Sequence, residues 1–275
     1  MAWFYFGIRI LTIFPRKLGI LIAKKITPIN YYGYYKDRRA YVISNLKKVY
    51  KNLSEIEAKK MVYTIFTNFA VFVYEFIMLP TLNKNNIQDY VKIVNKENLD
   101  SALKKGKGAI VLTAHLGHWE LGAAVLGLLG YSPVSISLPQ PATYTRKFFT
   151  GRRKSVGIET HYIDPKDPYS LSLKPILIAL KQGKVLATVG DRRYSGHAIK
   201  ANFLNTTLDF PSGTFTLAQH TGSPIIPAFC VKENDKYSIY FEPELKDGVQ
   251  GWANILDRYV RKYVTQWYVF DKLWD

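Results

Sequence analysis

Residues 104–127 read KKGKGAIVLTAHLGHWELGAAVLG, and their pattern decides the fold class. GAIVLTA (108–114) is a short run of β-branched and small apolar residues, the composition of a strand buried on both faces. Gly117 permits a tight turn, and the apolar run from about His118 to Leu129 has helical length. The stretch is therefore a strand, a turn and a helix. In an open α/β sheet, active sites collect at the carboxyl ends of such strands, and His115 stands there.

The same alternation extends outward. Strands are expected at 90–94, 133–138, 184–189, 224–231 and 237–242, the last alternating like an edge strand that could run antiparallel. Helices are expected at 97–105, 169–182, 212–220 and 252–267. This predicts one layered α/β domain over residues 31–275, its mostly parallel or mixed sheet flanked by helices. Before it, 36–51 is amphipathic, with Ala40, Ile43, Leu46 and Val49 on one stripe. Ser54 and Glu57 then form a capping box opening a helix that runs to about Leu79, before Pro80. Its uncharged segment MVYTIFTNFAVFV suits either a core helix or one with a lipid-facing side.

Charge points to an anionic partner. Lys and Arg number 38 against 21 Asp and Glu, a net +17 in 275 residues. Residues 1–60 hold thirteen Lys/Arg and three Asp/Glu, so +10 lies there, interleaved with aromatics and aliphatics. That mixture suits an anionic membrane surface; no zinc spacing, RNP-like motif or helix-turn-helix signal favours nucleic acid. Residues 1–30 read as a membrane anchor retained in the mature protein. Arg9, Pro15, Arg16 and Lys17 interrupt the apolar run, so it matches neither an uninterrupted span of about 20 residues nor a signal peptide. The expected placement is peripheral, monotopic or single-pass. The single cysteine, Cys230, lies in SPIIPAFCV and reads as a small buried hydrophobe.

The chemistry expected of this motif is general-base catalysis. A hydroxyl is a poor nucleophile at neutral pH, and a neutral imidazole can take its proton as it attacks. A carboxylate on the other ring nitrogen fixes the tautomer and stabilises the imidazolium. Five residues apart on one helix is about 500°, nearly opposite faces, so His115 and Glu120 pair only if His115 precedes the helix, as the turn allows. His118 is two residues from Glu120 and does not share its face. The expected dyad is therefore His115 with Glu120.

The stretch GKGAIVLTAHLGHWELGA resembles the signature of the bacterial lipid A biosynthesis acyltransferase family, which includes lauroyl/myristoyl transferases and phosphatidylinositol mannoside acyltransferases. RRAYVISNLKKVYKNLSEIEA (38–58), GDRRYSG (190–196), FPSGTFTLAQHTGSPIIPAF (210–229) and VTQWYVFDKLW (264–274) resemble its other blocks, so the similarity covers most of the chain. The resemblance implies a glycerolipid acyltransferase-like fold at the cytoplasmic face of the inner membrane. It also implies His115 as general base with Glu120 as its acidic partner. The donor would be a thioester of acyl carrier protein or coenzyme A, and the acceptor a lipid or glycolipid hydroxyl such as that of a lipid A precursor. The family commonly carries Asn where His118 stands.

Further candidates follow. Arg152 and Arg153 suit phosphate or carboxylate, and the family has an arginine shortly before a glycine here, matched best by Arg153 before Gly157. Asp191 ends the strand KVLATVG and, with Arg192 and Arg193, could orient an acceptor head group. Pro211, Ser212 and Gly213 enter a helix whose N–H groups could hold an anion, with Ser212 alternatively an N-cap. His161, His197 and His220 are scattered, with no partners at metal-ligand spacing. No metal or cofactor is expected beyond the thioester co-substrate. Two other readings fit parts of the sequence: a thioester or lipid hydrolase using the same dyad, and a non-catalytic membrane-binding protein.

Overall fold

The computed structural model describes residues 15–34, 36–138, 143–163, 173–193 and 197–274. The first fourteen residues of the expected anchor, and the first residues of the helix expected from 169, lie outside that set.

Three helices come first: α1 (Arg16–Ile29), followed by a π-helical turn at Asn30–Tyr34, then α2 (Lys36–Val49) and α3 (Glu55–Ile77). The capping box forms as expected. The Glu57 N–H donates to Ser54 Oγ at 3.3 Å, and the Ser54 N–H donates back to Glu57 Oε2 at 3.1 Å, satisfying two donors that the first turn would otherwise leave open. Among the described residues α3 alone is long and apolar enough to cross a membrane, but half of its most apolar stretch is buried in the protein. Val62, Ile65, Phe66 and Phe72 enter the main core, so α3 packs as a core helix. Gly19 of α1 lies against the Tyr74 ring of α3; a Cβ there would stand 2.1 Å from it. Arg16 pairs with Glu75, whose other oxygen accepts from Tyr237 Oη at 2.5 Å.

The α/β layer then runs α4 (Ile87–Tyr90), β1 (Val91–Val94), α5 (Glu97–Leu103), β2 (Ala109–Thr113), α6 (Trp119–Leu128), β3 (Pro133–Ser137), α7 (Thr143–Lys154), β4 (Glu159–Tyr162), α8 (Lys174–Lys181), β5 (Val185–Val189), β6 (Ala198–Phe203), β7 (Thr206–Pro211), α9 (Gly213–Thr221), β8 (Ile225–Glu233), β9 (Lys236–Phe241) and α10 (Gly248–Lys262). Seven strands form one sheet in the order β1-β9-β8-β2-β5-β3-β4. Every pairing is parallel except β8 with β9. The mixed, mostly parallel sheet flanked by helices is thus present. The expected edge strand is antiparallel to β8, but it is not an edge, because β1 covers its other side in parallel.

β2 is central, and all five of its residues are buried. Ile110 and Leu112 point into a core shared with Phe229, Trp252 and Leu256. Ala109 and Val111 point to the opposite face, against Leu121, Val125, Ile226 and Ile239. A strand covered on both faces has no polar side to alternate with, which is why GAIVLTA reads as a continuous apolar run. Cys230 is 2% exposed within the second core, and burial pushes its thiol pKa up.

Three elements escape the sequence pattern. β4 is too short to show a period, and α7 contains no acidic residue and buries no side chain completely. The β6–β7 hairpin turns at Leu204 and Asn205, both at positive φ, 49° and 64°. Two-residue hairpin turns favour that conformation, but Leu-Asn lacks the glycine that would announce it. Buried Phe203 and Phe210 fasten the hairpin to the core, and the Leu204 N–H donates to Asp257 Oδ2 of α10 at 2.8 Å.

Candidate active site

The site forms where two neighbouring parallel strands end. β2 and β5 pair with Thr113 opposite Val189, and the Gly190 N–H donates to the Thr113 carbonyl at 2.9 Å. His115 and Asp191 each lie two residues beyond that last pair, so the register brings them together. The Asp191 carboxylate accepts from His115 Nδ1 at 2.7 Å, from the His115 backbone N–H at 3.0 Å and from Trp267 Nε1 at 3.3 Å. Asp191 is fully buried. Burial alone would push its carboxyl pKa up, but the adjacent imidazole, its hydrogen bonds and the Arg192 cation hold it below the usual carboxylate range. An ionised Asp191 makes Nδ1 the donor, so the neutral ring presents Nε2 as its basic atom.

The expected His115–Glu120 dyad is therefore corrected: the carboxylate on His115 is Asp191. Glu120 is held elsewhere. Arg153 grips it through Nε–Oε2 at 2.9 Å and Nη2–Oε1 at 2.5 Å, while Arg153 Nη1 donates to Ser137 Oγ at 2.6 Å. Side-chain exposures of 13% for Arg153 and 8% for Glu120 make this a buried, bidentate pair. Burial lowers the Arg153 pKa, and the Glu120 charge and hydrogen bonds overcome that and raise it. The error lay in distance along the chain. The turn does place His115 ahead of the helix, as expected, but a carboxylate from a neighbouring strand meets the ring instead. The signal was present: KVLATVGD and AIVLTAH are matched strand ends, each with its polar residue two positions past the last paired one.

His118 is the N-cap of α6, its Nδ1 accepting the Leu121 N–H at 3.1 Å. Packed near Phe72 and Tyr237 and 1% exposed, it is kept neutral by burial, its pKa lowered to about 4. The turn before it requires glycine: Gly117 has φ +66°, and a Cβ there would stand 2.1 Å from the Cys230 carbonyl oxygen.

The C-terminal segment closes the site. The Gly117 N–H donates to the Gln266 carbonyl at 2.8 Å, and the Tyr268 N–H to the His115 carbonyl at 2.7 Å. Beyond the His115 ring stands an aromatic wall: Trp119 at 5.1 Å between centroids, stacked on Phe72 at 4.2 Å, with Phe69, Tyr268 and Phe270 behind. His115 keeps 16% of its side chain exposed. Its Nε2 accepts from Arg192 Nη2 at 3.0 Å, and Arg192 Nη1 donates to Asp271 Oδ2 at 2.6 Å.

The remaining candidates are dispersed. The Asp191 oxygens accept from His115 and Trp267, and the Arg192 cation lies close enough to lower the carboxyl pKa. The Arg152 guanidinium lies over the Phe148 ring at 5.0 Å. Ser212 sits at the N-cap position of α9 without a side-chain cap; its Oγ donates to the His197 carbonyl at 2.9 Å, closing the hairpin. Gly213 begins the helix beside it.

A histidine braced by a buried carboxylate at parallel strand ends, beside a wall of aromatic rings, is an arrangement suited to general-base chemistry on an apolar substrate. The chain matches the family model described as bacterial lipid A biosynthesis acyltransferase over residues 1–275, and it belongs to that family of lipid acyltransferases. It is 22% identical over 219 residues to a phosphatidylinositol mannoside acyltransferase of Mycolicibacterium smegmatis, covering 75% of this chain and 70% of the relative. It is 24% identical over 177 residues to a Mycobacterium tuberculosis protein of the same name, covering 62% of this chain and 54% of the relative. To a lipid A biosynthesis palmitoleoyltransferase of Escherichia coli it is 22% identical over 242 residues, covering 85% and 74%.

Proposed function

We propose that this protein transfers a fatty acyl chain from an acyl thioester to a hydroxyl of a membrane glycolipid. His115 is the general base and Asp191 the carboxylate that orients it. The observation that carries the reading is the Asp191–His115 Nδ1 hydrogen bond, which leaves Nε2 as the basic atom of the ring. A hydroxyl bound at Nε2 gives up its proton as its oxygen attacks the thioester carbonyl carbon. Collapse of the tetrahedral stage breaks the C–S bond, and the imidazolium protonates the departing thiolate. The thioester is already activated, so no acyl-enzyme is needed. The aromatic wall of Phe69, Phe72, Trp119 and Phe270 is suited to a hydrocarbon tail. Both named activities among the relatives act on glycolipids, which supports a glycolipid acceptor.

The membrane placement belongs to the same proposal: residues 1–30 anchor the domain at the cytoplasmic face of an anionic inner membrane. Leu18, Leu21, Ile26 and Ile29 are exposed on α1 alongside Lys17, Lys24 and Lys25, the mixture an interfacial helix presents.

Purified protein in anionic vesicles, given acyl-coenzyme A or acyl carrier protein thioester with and without a glycolipid acceptor, tests this by lipid mass spectrometry. A product heavier by one acyl group, lost in His115→Ala, is expected. Release of free acid regardless of acceptor would favour the hydrolase reading, and equal turnover by wild type and His115→Ala would end the catalytic assignment.

A further inference from the structure

Arg192 stands on the one ring atom the reaction needs. Its Nη2 donates to His115 Nε2 at 3.0 Å, its Nη1 is held by Asp271 Oδ2 at 2.6 Å, and Asp271 is itself gripped by Arg38. The Arg192 side chain is 15% exposed, so the contact is not a loose surface arrangement. If the guanidinium stayed there, it would oppose catalysis twice. It would occupy the lone pair that must accept the hydroxyl proton, and it would repel the imidazolium that forms.

The first objection vanishes if the incoming hydroxyl displaces Nη2 from Nε2, and the second is offset because a negative charge forms beside the guanidinium in the same step as the imidazolium. The oxygen then bonded to the thioester carbon lies where Nη2 stood. The negative charge develops on the carbonyl oxygen, two bonds from that nucleophilic oxygen. A guanidinium still tethered through Nη1 needs only a small tilt to reach it. Fixed cations aimed at developing charge are worth most in sites that exclude water, and guanidinium stays charged throughout.

We propose that Arg192 is a catalytic residue of the transfer reaction, donating to the oxyanion of the tetrahedral stage, and that Asp271 is its positioning residue. As the C–O bond forms, the hydroxyl proton passes to His115 Nε2 and the carbonyl π pair moves onto oxygen beside Arg192. As C=O re-forms, the C–S pair leaves with sulfur and takes the proton from His115. The inference rests on the acyl-transfer reading and adds to it a second charged group and an anchor from the C-terminal segment.

The test compares wild type, His115→Ala, Arg192→Ala, Arg192→Lys and Asp271→Asn in single-turnover and steady-state transfer from acyl-coenzyme A to glycolipid, with thermal melting of each. Removing one oxyanion donor typically lowers kcat by about 10²–10³-fold, and that loss is expected for Arg192→Ala, with little change in acceptor KM. Arg192→Lys should recover part of it, and added guanidinium ion at non-denaturing concentration should partly restore Arg192→Ala but not the Arg192→Ala/His115→Ala double variant. Asp271→Asn should lower kcat less than Arg192→Ala. An Arg192→Ala enzyme as fast as or faster than wild type would show a dispensable or braking contact and overturn the inference. So would a loss that follows the melting temperature and answers to neither lysine nor guanidinium. If wild type and His115→Ala are equally inactive, the acyl-transfer reading itself has failed.

Discussion

Asp191 and Glu120 are both buried carboxylates close in space to conspicuous cations, and their surroundings separate their roles. Asp191 accepts from a histidine whose far nitrogen is left as the basic atom beside Arg192, so its loss should appear in chemistry. Replacing the orienting carboxylate of such a pair by an amide inverts the tautomer preference; Asp191→Asn is expected to lower kcat by about 10³–10⁴-fold while substrate KM holds, checked by steady-state kinetics. Glu120 accepts from a buried arginine, so its loss should appear in stability. Breaking a buried pair from one side costs about 3–5 kcal/mol, so Glu120→Gln should lower the denaturant midpoint strongly. Glu120→Gln combined with Arg153→Met should regain much of it. If the double variant is less stable than the single, the pair is more than mutual charge compensation. His118 offers a third case. Its pKa is lowered by burial to about 4 in the folded state, against about 6.5 for an unperturbed histidine. A depressed histidine contributes its full stability above pH 6.5, and that contribution fades as pH falls toward 4, because the unfolded chain takes up the proton first. The shift corresponds to about 3 kcal/mol. His118→Asn can still cap α6 but cannot titrate; the stability gap between the two proteins should therefore move in the variant's favour between pH 6.5 and 4, measured by urea unfolding.

α1 and α6 show how single glycines let elements meet. On α1, Gly19 admits the Tyr74 ring, and Arg16 reaches Glu75 one residue along α3. Gly19→Ala is expected to lift α1 from α3 and raise amide exchange over residues 16–29, while exchange in β2 and β5 stays slow. On α6, a Cβ at Gly127 would stand 1.9 Å from the Val156 carbonyl oxygen, so the helix carrying Glu120 is pressed against the segment that follows Arg153. The close approach helps to fix the Glu120–Arg153 pair, which spans 33 residues of chain. α3, by contrast, passes a length-and-hydropathy criterion for crossing a membrane yet contributes Val62, Ile65 and Phe66 to the protein core. Composition cannot distinguish these destinations, since both reward an apolar helix.

For the protein entire, a net charge of +17 concentrated toward the N-terminus and the exposed aliphatics of α1 share one proposed partner, an anionic bilayer. Charge draws the protein in and apolar burial holds it there. At about 1 M salt, where the screening length is about 3 Å, binding to anionic vesicles should weaken but not vanish. Leu21→Ser with Ile29→Ser should lower the residual, salt-resistant fraction in vesicle sedimentation. Unchanged binding in both experiments would remove α1 from the membrane contact.

The strand–turn–helix reading of residues 108–128, the capping box at Ser54–Glu57 and the position of His115 at a strand end were all settled by local pattern, because burial period, turn glycines and caps act over a few residues. The mixed sheet also followed, although the β6–β7 hairpin did not, since its turn adopts positive φ without glycine. The partner of His115 was another matter. Glu120 lies five residues away and Asp191 seventy-six, and only the pairing of β2 with β5 brings the distant carboxylate within 2.7 Å while Arg153 draws the near one aside. Hydrogen bonds and ion pairs act across space, whereas a sequence pattern measures distance along the chain. Which acid meets which base was therefore decided by strand order and register.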